Sequence, residues 1–79
     1  MKVLFFAQIR EFTGCGAAEM ETRGDLRSDA VWRRLEEEFP GIEKFRSTTR
    51  LARNGAFTAA DEHFASSDEI ALIPPVSGG

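Results

Sequence analysis

Asp68-Glu69-Ile70-Ala71-Leu72-Ile73-Pro74-Pro75-Val76-Ser77-Gly78-Gly79 changes character halfway along. Glu69 to Ile73 is an apolar run of strand-forming length. Pro74 to Gly79 is expected neither to join a core nor to continue a sheet. Proline lacks the backbone donor and fixes φ, and glycine gives up more freedom on ordering than any other residue. The expected organisation is a folded domain over residues 1–73 and an extended tail over residues 74–79. Gly79 has no Cβ, so its α-carboxylate is as unhindered as a protein carboxylate can be. The stretch reads as a presented terminus, against the plainer alternative of a frayed end. Ordering each tail residue costs roughly 1–2 kcal/mol, so the tail is expected to stay mobile until a partner holds it.

At the other end of the chain, Lys2 to Ile9 is rich in β-branched and aromatic residues and reads as a buried strand. Alternation puts Val3, Phe5 and Ala7 on one face and Leu4 and Phe6 on the other, so each face is expected to be covered at least in part. Arg10 to Gly16 reads as a loop marked by Gly14 and Gly16, and Ala17 to Thr22 as a weaker strand pairing back on the first. After a turn at Arg23-Gly24-Asp25, Ser28 is a good helix N-cap, and Asp29 lies in the first turn, where the helix dipole favours an anion. Val31, Leu35 and Phe39 form the apolar stripe of that helix, with Trp32 on its flank. Pro40-Gly41 stops it, and Ile42 and Phe45 are expected to tuck under as the chain leaves. Asn54-Gly55, between the strand-like runs Thr49 to Arg53 and Ala56 to Thr58, is a strong hairpin signal. Ala60 to Ser67 reads as irregular. The order β, β, α, β, β, β is most economically buried as a sheet with one helix across one face, an α+β fold.

With 79 residues, 42% hydrophobic and 29% charged, the chain fits one small globular domain and is too short for a second core. A net charge of -3 argues against nucleic acid as the main partner, which would call for a basic surface. No apolar run approaches the ~20 residues that cross a bilayer, and the opening apolar stretch is too short for a secretory signal. A cytoplasmic protein with no membrane partner is expected. One cysteine excludes an internal disulfide.

The side chains offer little chemistry. One Cys and one His fall short of the about four ligands of a zinc site, and no metal is expected. Cys15 has no His nearby in sequence to activate it and reads as a small apolar residue. His63 has no positioned partner in view and reads as a loop residue. Glu36, Glu37 and Glu38 point in different directions on a helix, a solvated face. Gly14 and Gly16 lack the spacing of a dinucleotide loop. Lys44, Arg46, Arg50 and Arg53 make a basic stretch that binds an anion only if the fold gathers it; a solvated face is the simpler reading. Function therefore falls to a surface or to the terminus.

Val3-Leu4-Phe5-Phe6-Ala7-Gln8-Ile9-Arg10-Glu11, the Phe39-Pro40-Gly41 helix exit and the segment from Asp68 to Gly79 closely resemble the small subunit of molybdopterin synthase. That family comprises sulfur carriers with the ubiquitin-like β-grasp fold, and the resemblance covers essentially the whole chain. It implies a mixed sheet of four to five strands with one main helix across one face. It also implies a carrier cycle. An activating enzyme uses ATP, with Mg, to adenylate the carboxylate of Gly79. A sulfur-donating system converts it to a thiocarboxylate. Pro74, Pro75, Val76, Ser77 and Gly78 then thread the tip into the large subunit, where the sulfur passes to a cyclic pterin precursor. The chain itself is expected to bind no cofactor, and the assembly implied is a heterotetramer of two small and two large subunits.

The resemblance further implies an apolar dock beside the tail at Phe6, Phe57 and Ile73, with Arg10 close by. Strand alternation agrees in part, because Phe6 faces away from Val3 and Phe5, and Ile73 away from Ile70 and Leu72. The alternative is that these residues finish a second small core. The chain departs from the family at Arg53, where an aliphatic residue is frequent, and at the Arg27-Ser28-Asp29 helix entry. It departs again at Ser67, where Gly is common and where a positive φ, if required, would carry a cost. Rival readings are a ubiquitin-like modifier joined through Gly79 to a lysine, a sulfur carrier for thiazole synthesis or another thiolation pathway, and a plain interaction domain.

Overall fold

In the computed structural model, which describes residues 1–59 and 61–75, the opening strand β1 (Lys2–Phe5) leads into helix α1 (Ala7–Thr13) and strands β2 (Ala17–Glu19) and β3 (Leu26–Arg27). The main helix α2 (Ser28–Glu38) and a 3-10 helix (Ile42–Thr48) come next, then β4 (Arg50–Arg53), β5 (Ala56–Phe57), β6 (His63–Phe64) and β7 (Glu69–Ile73). Five strands form one sheet in the order β2-β1-β7-β4-β5, and β3 pairs with β6 in a separate two-stranded ladder. The last strand therefore lies in the middle of the sheet. It runs parallel to β1, with Val3 beside Ile70 and Phe5 beside Leu72, and antiparallel to β4, with Leu51 beside Leu72. A parallel pairing needs a long crossover, and nearly the whole chain supplies it.

Val3, Phe5, Leu51, Ile70 and Leu72 share one face through these pairings. Val31, Trp32 and Leu35 of α2 are buried with them, as are Ile9, Ile42 and Phe64. Fully burying a side chain of this kind is worth about 1.5–3 kcal/mol, so this face holds most of the stabilisation. Phe39 closes the end of the helix stripe, its ring edge-to-face with Phe5 at 5.3 Å. The α+β architecture, the mixed sheet and the single long helix agree with expectation. So does the hairpin: Asn54 and Gly55 take φ of 50° and 89° and Arg53 faces Ala56, the two positive φ angles that a tight hairpin of matching twist requires.

Several local expectations are corrected. The strand expected over Lys2 to Ile9 ends at Phe5, because Ala7 takes φ 51° and starts a helix. Ile9 is thereby carried into the core, and the expected loop from Arg10 becomes helical as far as Thr13. Gly14, with φ 79°, closes that helix by donating its N–H to Arg10 O at 2.9 Å. Ser28 is the first residue of α2, not its N-cap; Arg27 occupies the cap position without a side-chain bond. Ile42 and Phe45 do tuck under, but within a 3-10 helix. The Ala60 to Ser67 segment, of which Ala60 lies outside the described residues, holds a short strand: β6 pairs Phe64 with Leu26 and His63 with Arg27. The second strand stops at Glu19, short of Thr22. Among the described residues only Ala7 and Asn54 are non-glycine with positive φ, so the Ser67 departure costs nothing in backbone strain.

Candidate docking face

The pairing register builds an apolar row across the sheet face opposite the core. Ala17 lies beside Leu4, Leu4 beside Ala71, Ala71 beside Ala52 and Ala52 beside Phe57. Each strand of the five-stranded sheet contributes one residue. Ala52 is only 3% exposed even though it faces outward, so its neighbours close over it. Phe57, at the β5 edge, is 55% exposed, and Phe6 is 46% exposed. An apolar surface of this kind usually marks an interface.

Toward the end where β7 leaves the sheet, Ile73 is half-buried opposite Arg50. Phe6 and Ile73 each stand one residue beyond the Phe5–Leu72 pair. Phe6 is extended (φ -130°, ψ 156°), and its carbonyl accepts from Ile9 N at 3.1 Å and Arg10 N at 3.3 Å. The Phe6 backbone is thus held at the strand-to-helix junction. Arg10 is exposed, and its guanidinium lies against Gly16, where an added Cβ would come within 3.6 Å of Nε. The guanidinium carbon of Arg50 sits 4.0 Å from the centroid of the Phe57 ring.

The structure therefore places Phe6, Phe57 and Ile73 on the outer side of the sheet, with Arg10 beside the first strand. One expectation is corrected: Pro74, read as part of a tail unable to join a core, is buried, and exposure begins at Pro75. The expectations for Val76, Ser77, Gly78 and Gly79 lie outside the described residues. The sequence reading missed Ala17, Leu4, Ala52 and Ala71 as members of the row. Three of the four are alanines, and only the register shows that they line up.

Among the described residues no cluster of His, Cys, Asp and Glu could hold a metal ion. Cys15 packs partly buried against the core. His63 is exposed on β6, with its backbone carbonyl accepting from Arg53 Nη1 at 2.7 Å. A concavity of about 700 Å³ lined by Met1, Met20, Leu26, Arg34 and Ser66, among others, lies where β1 begins, at the end of the sheet remote from Ile73. Among the described residues two groups have shifted titrations, and both serve the entry to α2. Arg46 holds the Asp29 carboxyl below the usual range, first by its hydrogen bond and then by its charge. Asp61 raises the Arg27 guanidinium in the same way. No helix among the described residues is long and apolar enough to cross a membrane.

A family model described as the ThiS family matches residues 3–79. The molybdopterin synthase sulfur carrier subunit of Arabidopsis thaliana is 35% identical over all of this chain and 82% of its own length. Its namesake from Homo sapiens is 28% identical over all of this chain and 93% of its own length. Among solved structures, the crystal structure of SAMP1 from Haloferax volcanii matches with a TM-score of 0.82 at 30% identity, covering 100% of this chain and 98% of that one.

Proposed function

The chain belongs to the ThiS family, and from that premise we propose that it is the sulfur carrier subunit of a molybdopterin synthase, with Gly79 as the reactive residue. The observation that carries this is the match to relatives of that name, which covers the whole of this chain. A carboxylate is a poor electrophile. An activating enzyme therefore joins the Gly79 carboxylate to AMP from ATP and Mg, releasing pyrophosphate. A sulfur-donating system then displaces AMP to leave a terminal thiocarboxylate. In the large subunit that sulfur is the nucleophile toward a cyclic pterin precursor. In this sense the chain is a protein-borne group carrier.

The outer face supports the same reading. The apolar row lies beside Ile73, and Ile73 leads directly into Pro74 and Pro75. A partner that covers Phe6, Phe57 and Ile73 therefore holds the root of the tail, and the chain beyond the buried Pro74 reaches onward into its active site. The cycle is cytoplasmic, and the working assembly is a heterotetramer of two small and two large subunits.

Reconstitution with the large subunit, the activating enzyme, ATP, a sulfur donor and the cyclic pterin precursor tests the proposal. Activated protein should gain about 16 Da as sulfur replaces oxygen, and deletion of Gly79 should abolish product while leaving the melt unchanged. Product formed by the deletion variant overturns it. A second reading, a protein modifier conjugated through Gly79, draws on the likeness to SAMP1; high-mass lysine adducts in native cells would favour it.

A further inference from the structure

We propose that Arg50 makes the docking face selective for a protein surface that presents a carboxylate beside the apolar row. This rests on the proposed docking role of that face and names the partner chemistry that the face recognises.

The basic stretch Lys44 to Arg53 divides sharply once folded. Arg46 pairs with Asp29 and with Glu43. Arg53 pairs with Glu62 at 3.8 Å and donates to His63 O. Lys44 lies over Phe12 at 4.4 Å and Phe45 at 5.3 Å, within the helical layer. Arg50 alone of the four faces outward from the sheet, across from Ile73. No acidic group among the described residues pairs with it.

Its guanidinium is also poised. The contact with the Phe57 ring holds the guanidinium in place without using its N–H donors, and a planar fork of this kind suits bidentate carboxylate recognition. The charges on this face are sorted along its length. Lys2, Glu19 and Glu69 cluster at the end remote from Ile73, where Lys2 and Glu69 meet at 4.0 Å. Arg50 stands at the end where the chain leaves the sheet. In a chain of net charge -3, this is a local positive site beside an apolar surface. An acid on a protein partner complements both features at once; an extended polyanion would meet the acidic remainder of the chain. Such a rim charge acts mainly on association rate and partner choice.

The test titrates the large subunit with wild-type protein, R50Q, R50K, R50E and F57A by calorimetry, at low salt and at about 0.3 M salt, where exposed charges are screened. R50E should weaken binding about tenfold or more at low salt and R50Q by less, and both should flatten the salt dependence. R50K keeps the charge and should keep most of the salt dependence. F57A should weaken binding similarly at both salts. Melting curves confirm that each variant folds. If R50E binds within about twofold of wild type while F57A is weak, the Arg50 inference is overturned and the docking role stands. Equal losses for R50Q and R50E with unchanged salt dependence also overturn it, since Arg50 would then only cover Phe57. If F57A binds as wild type, the docking role beneath it fails.

Discussion

Asn54 and Glu69 exchange two hydrogen bonds: Asn54 N donates to Glu69 O at 2.8 Å, and Glu69 N donates to Asn54 Oδ1 at 2.9 Å. Asn54 Nδ2 also donates to Asp68 Oδ1 at 3.3 Å. The hairpin turn is thus tied to the first residue of the central strand, so the β4–β5 edge and β7 are held as one unit. Asn54→Ala loses both side-chain bonds and places a Cβ residue of no local polarity at φ 50°. The expected cost is about 2 kcal/mol, from roughly 0.5–1.5 per bond and the left-handed backbone. Asn54→Gly keeps the backbone easy and should cost about half as much. Urea unfolding of the two variants checks this; equal costs would show that the conformation contributes nothing.

Ala7 carries the strain that turns the chain from β1 into α1 and leaves Phe6 on the outer side. A non-glycine residue at φ 51° costs about 1–2 kcal/mol. Ala7→Gly relieves it but adds unfolded-state freedom worth roughly 0.5–1 kcal/mol, so a gain of up to about 1 kcal/mol is expected. Ala7→Val, β-branched in the same conformation, should lose about 2 kcal/mol or more. Paired denaturation curves decide, and a stable Ala7→Val variant would refute the account.

These two positions show what the sequence made legible and what it hid. The hairpin was readable because Asn-Gly satisfies its own turn locally. The central strand was readable because five consecutive residues from Glu69 to Ile73 meet core and outer face in strict alternation. Helix α1 was hidden because Phe5-Phe6-Ala7 continues an apolar strand pattern, and nothing local announces the positive φ of Ala7. Ser28 misled for a related reason. Its hydroxyl accepts from Glu62 N at 3.0 Å and donates to Glu62 O at 3.3 Å, a partner 34 residues away that displaces the cap a local rule expects. Ser28→Ala should therefore cost about 1–2 kcal/mol by leaving a partly buried N–H without its acceptor. Ser28→Asp, a better cap by local rules, should destabilise as well. A Ser28→Asp variant as stable as wild type would restore the capping role.

Asp29 gives the fold an acid-range dependence of known sign. Its carboxyl is depressed by Arg46, by the hydrogen bond first and by the charge second. A depressed carboxyl contributes stability that is present above its unfolded value and lost as pH falls through the folded one. The wild-type melting temperature should thus fall below about pH 4, the ordinary aspartate range, more steeply than that of Asp29→Asn. Both partners are exposed, so high salt should flatten the difference. Thermal melts from neutral to strongly acid pH at two salt concentrations measure it, and parallel profiles for the two proteins would remove Asp29 from the acid response. Arg27 is pushed upward by Asp61, remains charged across this range and adds no slope to it.

Phe5 and Phe6 are adjacent in sequence and opposite in consequence. Phe5 is 1% exposed against Phe39 and Leu72, whereas Phe6 is 46% exposed on the outer side. Phe5→Ala opens a cavity in the core and should cost about 3–5 kcal/mol of stability, a large part of what a domain of this size possesses. Phe6→Ala removes little buried area, so its melt should shift by no more than about 0.5 kcal/mol equivalent. Its effect should appear in binding: a central aromatic of an interface costs about 2 kcal/mol or more on truncation, roughly a thirtyfold loss of affinity for the large subunit. Ile73→Ala should follow Phe6→Ala in kind, weakening the partner more than the fold. Urea unfolding and calorimetric titration of the same preparations separate the two quantities. A Phe6→Ala protein that binds as tightly as wild type, or that unfolds as Phe5→Ala does, would show that the outer side of the sheet is not where this chain is held.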